Sequence, residues 1–199
     1  MTVIDIRGTN GSGKSYIMNQ LLTVGQWESV EGLGQATKNG PTKRRHLGYL
    51  SEEYDTVIVG SYDGKSAFSG GCDLLFPEEV VRRSGIFNKL HKYVLLEGIL
   101  VSHTYKRYNQ VALDMDDDYH FYFLNTPLRT CLARIRARRR KAVANAGREF
   151  GMESVIKDWH QIWERTRAKL VESGRNVTIL DYKDPMTTIC NLLGIVRKL

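Results

Sequence analysis

Cysteine and proline are both scarce in this chain, with three and four residues respectively. Cys72, Cys131 and Cys190 are odd in number and far apart, so they supply neither a disulfide framework nor a zinc-ligand spacing. Each reads as a small apolar residue in a protein of a reducing compartment. No basic segment followed by an apolar stretch opens the sequence, which starts MTVIDIRG, and no apolar run approaches the length of a membrane span. A cytoplasmic protein with no membrane partner and no signal peptide is therefore expected. Internal repeats and low-complexity tracts are also lacking, which excludes solenoid and fibrous architectures.

What is present fits one domain spanning residues 1–199, long enough to bury a core without disulfides or a structural metal. The net charge of +7 favours polyanionic partners. Apolar runs bounded by glycine or turn residues predict strands at Thr2–Arg7, Thr56–Gly60, Tyr93–Gly98, His120–Leu124 and Asn176–Leu180. Helical spacing links Ile17, Met18, Leu21 and Leu22, then Leu128, Cys131, Leu132 and Ile135, and later Val155, Trp159, Ile162, Trp163 and Leu170. Pro77, Pro127 and Pro185 suit helix starts, and Gly174 suits the position just past a helix end. A further helix is expected near Val101. From Thr23 to Arg45 no period is clear, and a loop or short irregular elements are expected there. Strands alternating with helices predict a three-layer α/β fold with a mostly parallel sheet.

Gly8-Thr9-Asn10-Gly11-Ser12-Gly13-Lys14-Ser15 fits G-x-x-x-x-G-K-[ST] at every fixed position, between a predicted strand and a predicted helix. Glycines let successive N–H groups turn toward phosphate oxygens, and the helix start adds positive potential. Lys14 is then placed to reach the β- and γ-phosphates of ATP, and the Ser15 hydroxyl to ligate Mg²⁺. Nothing in the second half reads N-K-x-D, the guanine-recognition motif of GTPases. Arg134, Arg136, Arg138, Arg139, Arg140 and Lys141 crowd one helix end, where the apolar stripe stops at Ile135. Either they form a solvated basic face, or they form a lid over residues 136–150 that neutralises transition-state charge, with Arg138 and Arg139 catalytic and Arg134 on the nucleotide.

Taken together, these segments resemble the P-loop kinases that act on nucleosides, nucleotides and polynucleotides. Val94-Leu95-Leu96-Glu97-Gly98 looks like the strand after which uridine-kinase-type enzymes carry an acidic residue. Asn125-Thr126-Pro127 with Cys131-Leu132-Ala133-Arg134-Ile135-Arg136 is similar to the helix leading into their lid. Asp181-Tyr182-Lys183 lies where such kinases contact adenine, which implies Tyr182 on the nucleotide base. The order of the phosphate loop, Gly60-Ser61-Tyr62, Gly70-Gly71-Cys72-Asp73 and Leu96-Glu97-Gly98 looks like phage 5-hydroxymethyluracil DNA kinases. That likeness implies transfer to a base hydroxymethyl group in DNA during thymidine hypermodification, in a host cytoplasm. Other acceptors stay open: a free nucleoside or nucleotide, or no acceptor at all, as in a nucleic-acid-binding NTPase.

Glu97 ends an apolar strand, where an unpaired carboxylate is costly, and is expected to order Mg²⁺ or its waters. Asp63 and Asp73 compete as the base that takes the acceptor proton, although Asp63 precedes Gly64 and also suits a plain turn. Tyr62 and Phe68 are placed either to stack on a nucleobase or to pack. Asp114 to Asp118 reads as a solvated acidic turn, and Trp159 and Trp163 as core.

Overall fold

The computed structural model describes residues 1–33, 44–62, 71–72, 75, 77–115, 118–146 and 153–196. The strands are β1 (Thr2–Arg7), β2 (Glu28–Leu33), β3 (Arg44–Ser51), β4 (Thr56–Val59), β5 (Tyr93–Glu97), β6 (Tyr119–Leu124) and β7 (Asn176–Leu180). The helices are α1 (Lys14–Leu21), α2 (Pro77–Asn88), α3 (Ile99–His103), α4 (Lys106–Asp114), α5 (Leu128–Ala146), α6 (Glu153–Glu172) and α7 (Pro185–Leu193).

One seven-stranded sheet runs in the order β2-β3-β4-β5-β1-β6-β7. The strands from β4 to β7 pair in parallel, and the β2–β3 hairpin adds an antiparallel edge. Parallel strands covered on both faces are apolar throughout, which is why β4 reads TVIV and is wholly buried. Alternation along β1 sends Ile4 and Ile6 into one core with Ile17, Met18 and Leu21 of α1 and Met186, Ile189 and Cys190 of α7. Val3 lies in the opposite core, with Val80 and Phe87 of α2, Tyr108 of α4 and Trp163 and Leu170 of α6. The sheet between these helix layers is the expected three-layer arrangement. All three cysteines are buried and unbridged.

The hairpin departs from expectation. Glu28–Leu33 carries few apolar residues, yet it pairs with β3 from Glu28↔Leu50 to Leu33↔Arg44, with a register shift between Val30 and Glu31. An edge strand needs only one apolar face or none, so the pattern of a buried strand is missing from its sequence. Residues 34–43, also within the stretch read as irregular, lie outside the described residues. α2 ties this edge down, since Arg83 is buried against Glu79 (2.6 Å) and donates to the Leu47 carbonyl of β3 (3.1 Å). The paired arginines, Arg82 first, hold the Glu79 carboxyl down to about 2.

α7 begins as the sequence implied, with Asp184 capping the Thr187 N–H at 3.3 Å and Pro185 in the first turn. Among the described residues no helix is long and apolar enough to cross a membrane.

Candidate active site

The strand order switches at β1, with β4 and β5 laid down on one side of it and the later β6 and β7 on the other, all parallel. In open α/β sheets the crevice outside the carboxyl ends of the strands at such a point is the ligand site. Here those ends supply Gly8 after β1, Glu97 of β5, Ser61 after β4 and Asn125 after β6. Residues far apart in sequence meet there because each strand delivers its last residue to the same rim.

The loop from Gly8 to Gly13 turns through Ser12 N–H to Thr9 carbonyl (3.1 Å) and feeds α1, whose first residue is Lys14. Gly11 has φ +80°, and a Cβ there would lie 2.7 Å from the Cys131 carbonyl of α5. Only glycine meets both conditions. α5 and its lead-in also grip the loop's carbonyls. Thr126 Oγ1 donates to Ser12 O at 2.9 Å, and Arg134 donates to Ser12 O at 2.8 Å and to Gly11 O at 3.3 Å. A trans peptide points its N–H opposite its carbonyl, so this grip turns the Gly13 N–H away from α5.

Lys14 is only 5 % exposed, and its ammonium donates to Gly8 O at 2.6 Å and Thr9 O at 3.3 Å. Two loop hydroxyls, Thr9 Oγ1 and Ser12 Oγ, are buried with no hydrogen-bond partner among the described residues. Buried donors of that kind, beside a lysine and a helix start, fit a phosphate chain. Arg138 reaches Asn10 Oδ1 at 3.4 Å. Its guanidinium is held below its ordinary range by partial loss of water and then by the adjacent Arg134 charge, a repulsion that an anion would relieve.

Glu97 is 1 % exposed, and its Oε1 accepts from Ser15 Oγ at 2.9 Å. A hydroxyl and a carboxylate as hard oxygen donors suit Mg²⁺, which takes few protein ligands and keeps several waters. No cluster of three or more His, Cys, Asp or Glu occurs among the described residues, and such a site needs none. Gly71 closes over Glu97. Its φ is +70°, and a Cβ there would sit 2.4 Å from Glu97 Oε1. The Gly71 N–H donates to Ser61 O at 2.7 Å, pinning together the flanks of residues 63–70 beside the carboxylate.

Gly8 to Ser15, Glu97, Arg134 and Arg138 are thus gathered at one rim. Asp63, Phe68 and Asp73 lie outside the described residues, as does the Arg139 side chain, but the flanking Tyr62 and Cys72 belong to the pinned segment. Tyr62 is buried in the core with its N–H on the Tyr49 hydroxyl at 3.2 Å, so packing prevails over stacking for this ring. Tyr182 is half-buried against the α1–α7 core, and its N–H donates to Asn125 Oδ1 at 3.0 Å, joining the segments after β6 and β7. Trp163 is core as expected, while Trp159 is half-buried 5.6 Å from the His103 ring.

Sequence reasoning missed Thr126, Ser102 and the Asp5–Arg7 pair. Thr126, just before Pro127, carried the signal of a helix-entry hydroxyl. Ser102 carried none within its short helix.

The fold is a mostly parallel α/β sheet between helix layers, an arrangement consistent with a P-loop kinase fold. The chain is similar to 5-hmdU DNA kinase 1 of Salmonella phage ViI, with 26% identity over 165 residues that cover 81% of this chain and 68% of the phage protein. The likeness read from the phosphate loop, the Glu97 strand and the helix at Arg134 thus extends along most of the chain. No family model matches the sequence, and no solved structure matches it.

Proposed function

We propose that this protein transfers the γ-phosphoryl group of ATP, with Mg²⁺, to the hydroxymethyl oxygen of 5-hydroxymethyluracil in DNA. The observation that carries the reading is the Ser15–Glu97 pair at 2.9 Å on the rim of a lysine-bearing phosphate loop. The similarity to a phage DNA kinase supports the acceptor. Mg²⁺ would supply charge neutralisation between the β- and γ-phosphates.

In this reading Lys14 leaves the Gly8 and Thr9 carbonyls for the phosphates, and Ser15 with Glu97 holds the metal. Arg134, Arg138 and Arg139 stabilise the charge that spreads over the transferring group, and the 136–150 segment acts as the lid. Asp63 or Asp73 takes the proton as the acceptor oxygen bonds to phosphorus and ADP leaves. Their sequence neighbours Tyr62 and Cys72 adjoin the Ser61–Gly71 pair beside Glu97, which supports the two candidates equally. Tyr182 borders the adenine. The single domain and its basic surface serve DNA bound along its phosphates.

The test is transfer of label from γ-labelled ATP to duplex DNA carrying 5-hydroxymethyluracil, to unmodified DNA and to free nucleosides and nucleotides. Label on the modified duplex alone is expected, and Lys14→Ala should lower it at least ~100-fold. Label on a free monomer would assign a nucleoside or nucleotide kinase. Release of inorganic phosphate with every acceptor would assign an NTPase.

A further inference from the structure

The β1–β5 ladder ends at the pair Ile6↔Glu97, and beyond it the two chains part, one into the phosphate loop and the other into α3. One buried side chain spans the gap. The Ser102 hydroxyl accepts from the Gly8 N–H at 3.2 Å and donates to the Gly98 carbonyl at 2.6 Å, with no solvent exposure. It acts as one more rung of the ladder, made from a side chain after the strands have separated.

That rung joins the first residue of the loop to the residue after Glu97. On its other side Gly8 is held through its carbonyl by Lys14 at 2.6 Å, and Ser15, next to Lys14, donates to Glu97 at 2.9 Å. Before nucleotide binds, the bonds close a ring: Gly8, Ser102, Gly98, Glu97, Ser15, Lys14 and back to Gly8. Once Lys14 turns to the phosphates, the Ser102 rung is the link that remains between Gly8 and Gly98. Without Ser102 the ring opens at its base, and the loop can shift along β5 relative to the carboxylate.

We propose that Ser102 is a positioning residue that sets the offset between the phosphate loop and Glu97, so that Ser15 and Glu97 converge on one Mg²⁺. The proposal rests on the nucleotide reading above and deepens it. Mg²⁺ demands near-ideal octahedral geometry, so a small error between its two protein donors is felt in affinity. Phosphate binding by the loop's own N–H groups tolerates such a slip better, because loop and phosphate chain move together.

The experiment measures ATP binding by calorimetry, in Mg²⁺ and in EDTA, for the full chain and its variants. The quantity read is the gain in ATP affinity that Mg²⁺ confers. Removing the Ser102 hydroxyl in Ser102→Ala should cut that gain ~10-fold, the size expected for an outer-shell partner, and leave binding in EDTA within about threefold of the parent. Ser102→Thr, which keeps the hydroxyl, should restore it. Ser84→Ala is the matched control, since Ser84 is also buried and its hydroxyl donates to Val80 O (2.8 Å) inside α2. Where the alanine variant does not fold, Ser102→Cys carries the same comparison, because a thiol fills the space but bonds weakly.

An unchanged Mg²⁺ gain in Ser102→Ala or Ser102→Cys would overturn the proposal, and so would an equal loss in Ser84→Ala. A parent chain that binds no ATP in either buffer would instead overturn the nucleotide reading beneath it.

Discussion

Arg7 has no solvent exposure, and its guanidinium lies 4.7 Å from the ring centre of Phe121 and 5.0 Å from that of Tyr108. Its charge is balanced by Asp5 at 2.8 Å, which also accepts from the Tyr119 hydroxyl at 3.0 Å. This pair stands in an otherwise apolar core directly beneath the phosphate loop. Removing one member leaves an uncompensated charge, so Arg7→Met should cost about 3–5 kcal/mol in urea denaturation. The double variant with Asp5→Leu should recover most of that loss, because two apolar residues need no partner. His103 is the other residue here with a marked dependence on its surroundings. Burial, then the Lys14 and Arg7 charges, push its pKa from 6.5 down to about 4. A histidine kept neutral in the fold contributes stability above pH 6.5 that is lost as the pH falls through about 4. Unfolding free energy should therefore drop over that window, and His103→Phe, measured at several pH values, should flatten this part of the profile.

At the scale of elements, the grip of α5 on the phosphate loop is the contact most open to a clean break. Gly11→Ala places a methyl against the Cys131 carbonyl and in a backbone region that alanine disfavours. The strain should cost about 1–3 kcal/mol, read by thermal unfolding, and should weaken ATP binding more than the stability loss alone explains. Legibility from the sequence followed how buried each element is. The inner parallel strands and the helices could be read from apolar runs and periodicity, because both faces or one full stripe of each must be covered. β7, largely exposed at the far edge, could be read from its short apolar run all the same. The β2–β3 hairpin could not, since its edge position imposes no such pattern. The same division holds in the site. Gly8 to Ser15 is a local motif in which every residue serves one turn. Glu97 stood out as a carboxylate ending an apolar strand. Ser102 and Thr126, by contrast, meet the phosphate loop from 94 and 114 residues away, and a linear pattern carries no mark of those partners. The Asp5–Arg7 pair is close in sequence, but its burial is not legible there.

Over the whole molecule the net charge of +7 is spread along a chain with 29 basic and 22 acidic residues. If DNA is the acceptor, binding should weaken steeply with salt, with a slope near −0.9 for each phosphate neutralised. Titrating a labelled duplex between about 50 and 200 mM salt should lower its affinity by at least ~10-fold. A flat salt profile would remove the electrostatic case for a polymer substrate. Topology has a different bearing, on biosynthesis. β1 lies between β5 and β6, so this earlier-made strand waits for partners made from residue 93 onward and from residue 119 onward. Until then the apolar Val3, Ile4 and Ile6 have no sheet to enter, and Gly8 to Ser15 have neither Glu97 nor Arg134 beside them. Nascent chains stalled before β6 emerges should be protease-sensitive and unable to retain ATP. The same early segment would then be the natural point of contact for a chaperone.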